Sequence, residues 1–404
     1  MMNFNLEKDF KSLCDLLATY QNVWNPEVMN SYPQSLEAYP SEWLTDITNL
    51  SEDIQWRIDA GISYNEIREP KLKNLLNNLK KLSTFQKLET SEVLFSDTDF
   101  FKMKEKKRHE IKNISGFLSQ KTNLAKSCID VGGGIGHLSR TLANKHEMSS
   151  LIIESNKEFC EIGQKVNKKL NIGKINYKSE PFNKNSTYHC GSNTFALGLH
   201  ACGDLSSEII EYSVNNCLQN ILSFGCCYFK TKLENHCFLS SYGSKVDFNL
   251  SKYSLTLASR AHTGLTKKAF IKKKRVKSYR YALHLFLFHH LKQTEFKEVG
   301  ESKFSLYEKD FSDYAAEKLN YLGIEKIEKQ TLEDFFESKQ TRKLIEAMFC
   351  ANIIRWQFGR AIEKLILIDR ALYLKESNYQ IELGELFDEN ISPRNVGIFA
   401  KKLP

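Results

Sequence analysis

The sequence has no Cys-x-x-Cys pair. Its ten cysteines are scattered and only Cys226 and Cys227 are adjacent, so neither a zinc ribbon, a thioredoxin-like dithiol nor a disulfide framework is expected. They are read as reduced thiols, and no metal-ligating set is assigned. Gly-x-x-x-x-Gly-Lys-[Ser/Thr] and His-Glu-x-x-His are also missing, which removes the P-loop nucleotide and zinc-protease readings. Long apolar runs are absent too. The longest, Tyr281 to Leu291, is interrupted by His284, His289 and His290 and is about half of the ~20 residues a membrane span needs. No membrane segment is expected. The opening "MMNFNLEKDF" carries acids where a secretory leader carries bases and then an apolar run, so the expected location is cytoplasmic.

One stretch lacks a whole charge sign. Between Phe248 and Thr294 there is no Asp or Glu against eleven Lys and Arg, more than the formal excess of +8 for the entire 404-residue chain. Lys272, Lys273, Lys274 and Arg275 are its densest point and the candidate substrate-binding residues. Such a segment attracts polyanions through counterion release, and RNA is the expected partner. The alternative is a solvated face of a lysine-rich protein.

What the chain does contain is an alternation of strand-like and helical patterns after a helical start. Residues 1–95 read as helices with polar joints. From 96 to 230, short apolar runs at 127–133, 150–155, 175–179, 194–203 and 220–229 are separated by segments of helical spacing, the pattern of a parallel sheet with right-handed crossovers. Residues 231–375 hold the basic segment and further helices. Residues 376–404 turn strand-like again, as a last strand pair completing the sheet. The expected class is therefore α/β.

The first run ends in "CIDVGGGIGHLSR", with four glycines in five positions. A dinucleotide fingerprint, Gly-x-Gly-x-x-Gly, fails here: counted from Gly132 its third position is His137, and from Gly134 it is Ser139. The loop reads instead Asp130-x-Gly132-x-Gly134-x-Gly136, the pattern of S-adenosylmethionine sites. In these the glycines admit the ligand and the acid orients its amino end. Glu154, at the end of the second run, is placed for the ribose hydroxyls, or is a helix N-cap neighbour. Glu180 follows the third run, where it meets an adenine amino group or is simply exposed.

The fourth and fifth runs end in chemistry-bearing residues, His200, Cys202 and Asp204, then Cys226, Cys227 and Tyr228. Ligands of an open α/β sheet sit at these carboxyl ends. The catalytic candidates are His200, Asp204 and Tyr228. His200 is either the base that takes an acceptor's proton or a histidine that shapes the cofactor pocket. The cysteines are nucleophiles or small buried hydrophobes. An Asn or Asp followed by Pro-Pro and an aromatic is absent, which disfavours an adenine N6-methyltransferase.

"MKEKKRHEI" (103–111), "DVGGGIGHLSR", "GLHACGDL" (198–205), "FGCCYF" (224–229), "LILIDRALYLKE" (365–376) and "ISPRNVGIFAKK" (391–402) follow in order the blocks of the methyltransferase-like protein 25 family, and "YPSEWL" (39–44) is similar to its N-terminal block. That family includes a relative labelled as containing a ribosomal RNA adenine dimethylase domain. The resemblance implies a Rossmann-like class I methyltransferase: a seven-stranded sheet with a helical N-terminal region, a helical insertion before the last strand pair, and S-adenosylmethionine as cofactor. Gly132, Gly134, Gly136 and Glu154 match its cofactor positions. It also gives Lys106, Lys107, His109 and Glu110 a place on a helix capping the cofactor pocket, where a cation pairs with the methionine carboxylate; the alternative is solvent-exposed helix charges. The His-x-Cys-Gly block and the paired cysteines resemble those of transfer RNA 2'-O-methyltransferases, whose zinc modules this chain lacks. The acceptor is expected to be RNA, with a protein acceptor or a noncatalytic cofactor- and RNA-binding scaffold as alternatives. An NAD-dependent oxidoreductase would need the missing third glycine to be dispensable.

Overall fold

A computed structural model describes residues 5–188, 191–232, 238–260 and 264–404. Residues 261–263 of the basic segment lie outside them. Seven strands form one sheet: β1 (Ser127–Val131), β2 (Ser149–Ile153), β3 (Ile175–Lys178), β4 (Thr194–Cys202), β5 (Asn220–Cys226), β6 (Tyr379–Glu385) and β7 (Val396–Lys402). The helices that matter below are α1 (Glu105–Leu118), α2 (His137–His146), α3 (Lys157–Lys169), α4 (Leu205–Asn215), α5 (Lys267–His289), α6 (Lys339–Trp356) and α7 (Gly359–Glu376).

The strand order is β3-β2-β1-β4-β5-β7-β6. β1 to β5 are parallel, and β7 inserts antiparallel between β5 and β6. This is the Rossmann-like class I methyltransferase arrangement expected from the sequence, with the last strand pair delivered after a long helical insertion. Parallel strands with both faces covered read as apolar runs, as β4 and β5 do, whereas β3 (INYK) lies at the sheet edge with only Ile175 buried. The two-residue period then sorts the faces. Phe195 and Leu197 of β4 pack with Ile114 and Phe117 of α1 and Leu138 and Leu142 of α2, while Ala196 faces Ile209 and Tyr212 of α4. Winding reverses between β1 and β4, so the crevice at their carboxyl ends is the expected ligand position.

The chain forms two compact units. One comprises residues 1–18, 82–263 and 360–404; the other comprises 19–81 and 264–359. Most of the N-terminal helices and of the insertion are built into one helical unit, while the first helix and α7 belong with the sheet. Within the helical unit, α5 and α6 lie side by side, with the Asn352 amide of α6 on the Tyr281 hydroxyl of α5, and Gln55 donates to Glu346 of α6 at 3.1 Å. Helical periodicity marks an apolar face but does not say which distant helix covers it.

Candidate active site

The glycine loop follows β1 and ends at the N-terminus of α2. Gly132, Gly134 and Gly136 have φ of 68°, 56° and 79°, left-handed values that side chains with a Cβ rarely adopt. Nothing lies within 4 Å of where a Cβ on Gly134 would stand, so the loop is bare toward the crevice. It is held from below. Asp130 is 2% exposed and accepts from Ser139 Oγ of α2 at 2.6 Å, and a Cβ on Gly133 would come within 2.7 Å of its carboxyl. Burial pushes that carboxyl up to about 6, against the pull of the Ser139 hydrogen bond. Asp130 therefore braces the loop from below. The backbone carbonyl of Ile135 is satisfied by Tyr177 Oη at 3.1 Å and Arg140 Nη1 at 2.6 Å. Tyr177 lies against the loop because Gly136 and Gly163 leave it room: a Cβ on either would collide with its hydroxyl.

Glu154 lies beside the loop. One carboxylate oxygen accepts from Gly134 N at 3.0 Å and the other from Asn156 N at 2.9 Å. A carboxylate offers about four lone-pair sites, so two backbone donors leave capacity for ligand hydroxyls. These features fit a nucleoside-bearing cofactor: bare, outward-facing backbone at Gly134, with a carboxylate bonded to that same residue. Glu180 is exposed after β3, with Lys178 at 3.8 Å.

His200 sits at the carboxyl end of β4 in a left-handed conformation (φ 63°), where the β4–β5 register shifts between Leu199 and Ala201. Its Nε2 lies 2.7 Å from Oε1 of Glu110 on α1, a fully buried carboxylate. Ser392 Oγ donates to the same oxygen at 2.7 Å, and Lys107 Nζ stands 2.8 Å from Oε2. Burial would raise the Glu110 carboxyl, but the hydrogen bonds and charges of His200 and Lys107 prevail and hold it at about 2. The sequence placed Lys106, Lys107, His109 and Glu110 on a helix capping the cofactor pocket, with no separate role for Glu110. In the structure Lys107 pairs with Glu110, and His109 Nε2 accepts from Asp388 N at 2.9 Å, pinning the turn between β6 and β7. Sequence reasoning names Glu110 on that helix but not its buried pairing with His200 and Ser392. Glu110 stands at helical spacing from both Lys106, whose Nζ is 3.7 Å from Oε1, and Lys107, while its remaining partners lie 90 and 282 positions away.

The remaining candidates separate. Asp204 stands at the N-cap of α4 and accepts from Lys232 N at 3.2 Å, tying down the chain after β5. Tyr228 is 1% exposed, with its ring 5.4 Å from the Arg370 guanidinium of α7, and burial pushes its phenol well above the usual range. It packs as a buried ring beside Arg370.

The four basic candidates lie in the helical unit on α5, and they do not form one open patch. Lys273 pairs with Asp59 at 2.7 Å and Lys274 with Glu346 at 3.1 Å. Arg275 donates to the Tyr307 carbonyl at 2.9 Å, and Lys272 lies over the Phe304 ring at 4.7 Å. Helical periodicity brought acids from other helices to a segment that has none of its own.

A family model described as a methyltransferase domain matches residues 106–234. The chain is 26% identical over 234 residues to "Probable methyltransferase-like protein 25" of Mus musculus, a match covering 51% of this chain and 37% of that relative. It thus spans well under half the length of that curated relative. Among solved structures it is similar to coclaurine N-methyltransferase bound to N-methylheliamine and SAH, at 12% identity over 97% of this chain and all of that one, with a TM-score of 0.28. It is also similar to the 23S rRNA methyltransferase ErmE, at 12% identity over 43% and 88% of the two chains, with a TM-score of 0.24.

Proposed function

We propose that this chain, which carries a class I methyltransferase domain, transfers the methyl group of S-adenosylmethionine to an acceptor held at the carboxyl edge of its sheet. The observation that carries this reading is the bare glycine loop at the β1–β4 switch with Glu154 bonded to its centre. When bound, the cofactor supplies an electrophilic methyl on a sulfonium. The loop backbone from Gly132 to Gly136 and the Glu154 carboxylate would hold it. His200, fixed by Glu110, is the acceptor-side group. With Nε2 committed to donating to Glu110, the nitrogen of a neutral imidazole that can take a proton is Nδ1.

The acceptor we propose is RNA. Support comes from the acid-free segment, whose exposed members include Lys268, Lys272 and Arg275. The experiment is methyl transfer from labelled cofactor into separated RNA and protein fractions. Label is expected in RNA, and His200→Ala should lower kcat by at least about 100-fold, the usual contribution of a positioned base. Lys272→Glu with Arg275→Glu should flatten the salt dependence of RNA binding, by roughly 0.7 to 0.9 in log–log slope for each phosphate that the protein no longer neutralises. Label found in protein and not RNA would overturn the acceptor while leaving the methyltransferase reading in place.

A further inference from the structure

The three sulfurs of Cys202, Cys226 and Cys227 all lie within 4.8 Å of one another. Two backbone departures bring them together. β4 and β5 are parallel, and beyond the register shift at Leu199/Ala201, Cys202 stands directly opposite Cys226, with Sγ to Sγ at 3.2 Å. Cys227 should then point to the opposite face, because side chains alternate along a strand. It does not: Cys227 turns left-handed (φ 48°, ψ 46°) as the strand ends, and its sulfur rejoins the other two. The turn is held by Lys230 N donating to the Cys227 carbonyl at 2.9 Å and Gly203 N donating to the Cys226 carbonyl at 3.1 Å. Cys226 is buried, while Cys202 and Cys227 are half-buried and reachable from solvent.

We infer that Cys202, Cys226 and Cys227 form a binding site for a thiophilic d10 cation, with Zn²⁺ as the fitting ion. Three thiolates at about 2.3 Å from a tetrahedral zinc stand about 3.8 Å apart, a spacing this cluster reaches with small side-chain movements. A disulfide would use two sulfurs and leave the third unexplained. Soft thiolate ligands select zinc or copper(I) over magnesium, calcium or manganese. Loading converts thiols to thiolates and releases their protons to solvent, and Lys230 beside the cluster offsets part of the negative charge. The three thiolates fill three corners of the tetrahedron and leave a fourth for a further ligand. The absence of Cys-x-x-Cys spacing hid this site, since its ligands come from two strands and a turn.

The test uses the full chain, reduced and stripped with a chelator, then titrated with Co²⁺ followed by Zn²⁺. It reads metal binding and not methyl transfer, so it stands or falls separately from the proposed activity. One equivalent of Co²⁺ should bind with thiolate charge-transfer absorption in the near ultraviolet and visible d–d bands, and Zn²⁺ should bleach both. Cys202→Ser and Cys227→Ser are the variants of choice, because serine in place of buried Cys226 could disturb folding. Each should weaken binding by more than about 100-fold, at or beyond the loss seen when only a supporting group is removed. Cys217→Ser, at an exposed cysteine outside the cluster, should bind as the wild type does. A folded wild type that shows no thiolate–cobalt absorption would overturn the inference. So would bands that persist unchanged in both variants.

Discussion

Glu110 has no exposed surface, yet His200, Ser392 and Lys107 converge on its carboxylate from three parts of the chain. A carboxyl held at about 2 when folded, against an ordinary 4.5, takes up its proton more readily when the chain unfolds. Its stabilising contribution is therefore complete above about pH 4.5 and is lost as pH falls toward 2. Glu110→Gln removes the buried anion and leaves Lys107 and His200 facing a neutral amide. A loss of about 3 kcal/mol is expected at pH 7. Urea denaturation across pH should show the gap between wild type and variant closing below pH 4.5, and a gap that stays constant would contradict this account. None of this was legible from local pattern. The helix before β1 announced its charges, but which of them face the pocket depends on a histidine 90 positions away. The glycine loop was legible because each of its residues acts through its own backbone.

Strands β4 and β5 carry the acceptor-side chemistry because of how each one ends. Their apolar runs predicted their existence, but the register shift at Leu199/Ala201 is a property of the pair and leaves no mark in either run alone. The shift aims His200 at α1, and the left-handed exit at Cys227 gathers the thiols. The same exit buries Tyr228, which the sequence placed among catalytic groups. Gly203 locks the two strand ends together. Its φ is +57° and a Cβ there would come within 2.8 Å of the Lys230 backbone. Gly203→Ala should cost about 1–3 kcal/mol, the range for forced backbone strain, and disturb both strand ends. Gly173→Ala, in open space with no left-handed φ, should stay within about 0.5 kcal/mol. Thermal or urea unfolding of the two variants compares them directly, and equal stabilities would contradict the proposed lock.

At the scale of the whole molecule, charge counted along the chain and charge offered to a partner are different quantities. Lys273 neutralises Asp59, whose side chain is 4% exposed, so Lys273→Ala strands a buried carboxylate and should cost about 3 kcal/mol. Lys272→Ala removes an exposed cation over Phe304 and should cost about 0.5–1 kcal/mol, a contrast that denaturation measures. Comparable losses would mean the ion pair is not the difference between them. The assembly of residues 19–81 with 264–359 into one unit was hidden for the same reason, because amphipathic faces do not name their partners. The site in the sheet unit can be tested without the acceptor being known. Calorimetric titration of S-adenosylmethionine into the wild type and Gly134→Arg uses the open space above that residue, which the arginine would fill. The account predicts one binding site in the wild type and none in a variant whose circular dichroism shows it folded. Binding of equal strength in both proteins, or a wild type that binds NAD and not S-adenosylmethionine, would contradict it.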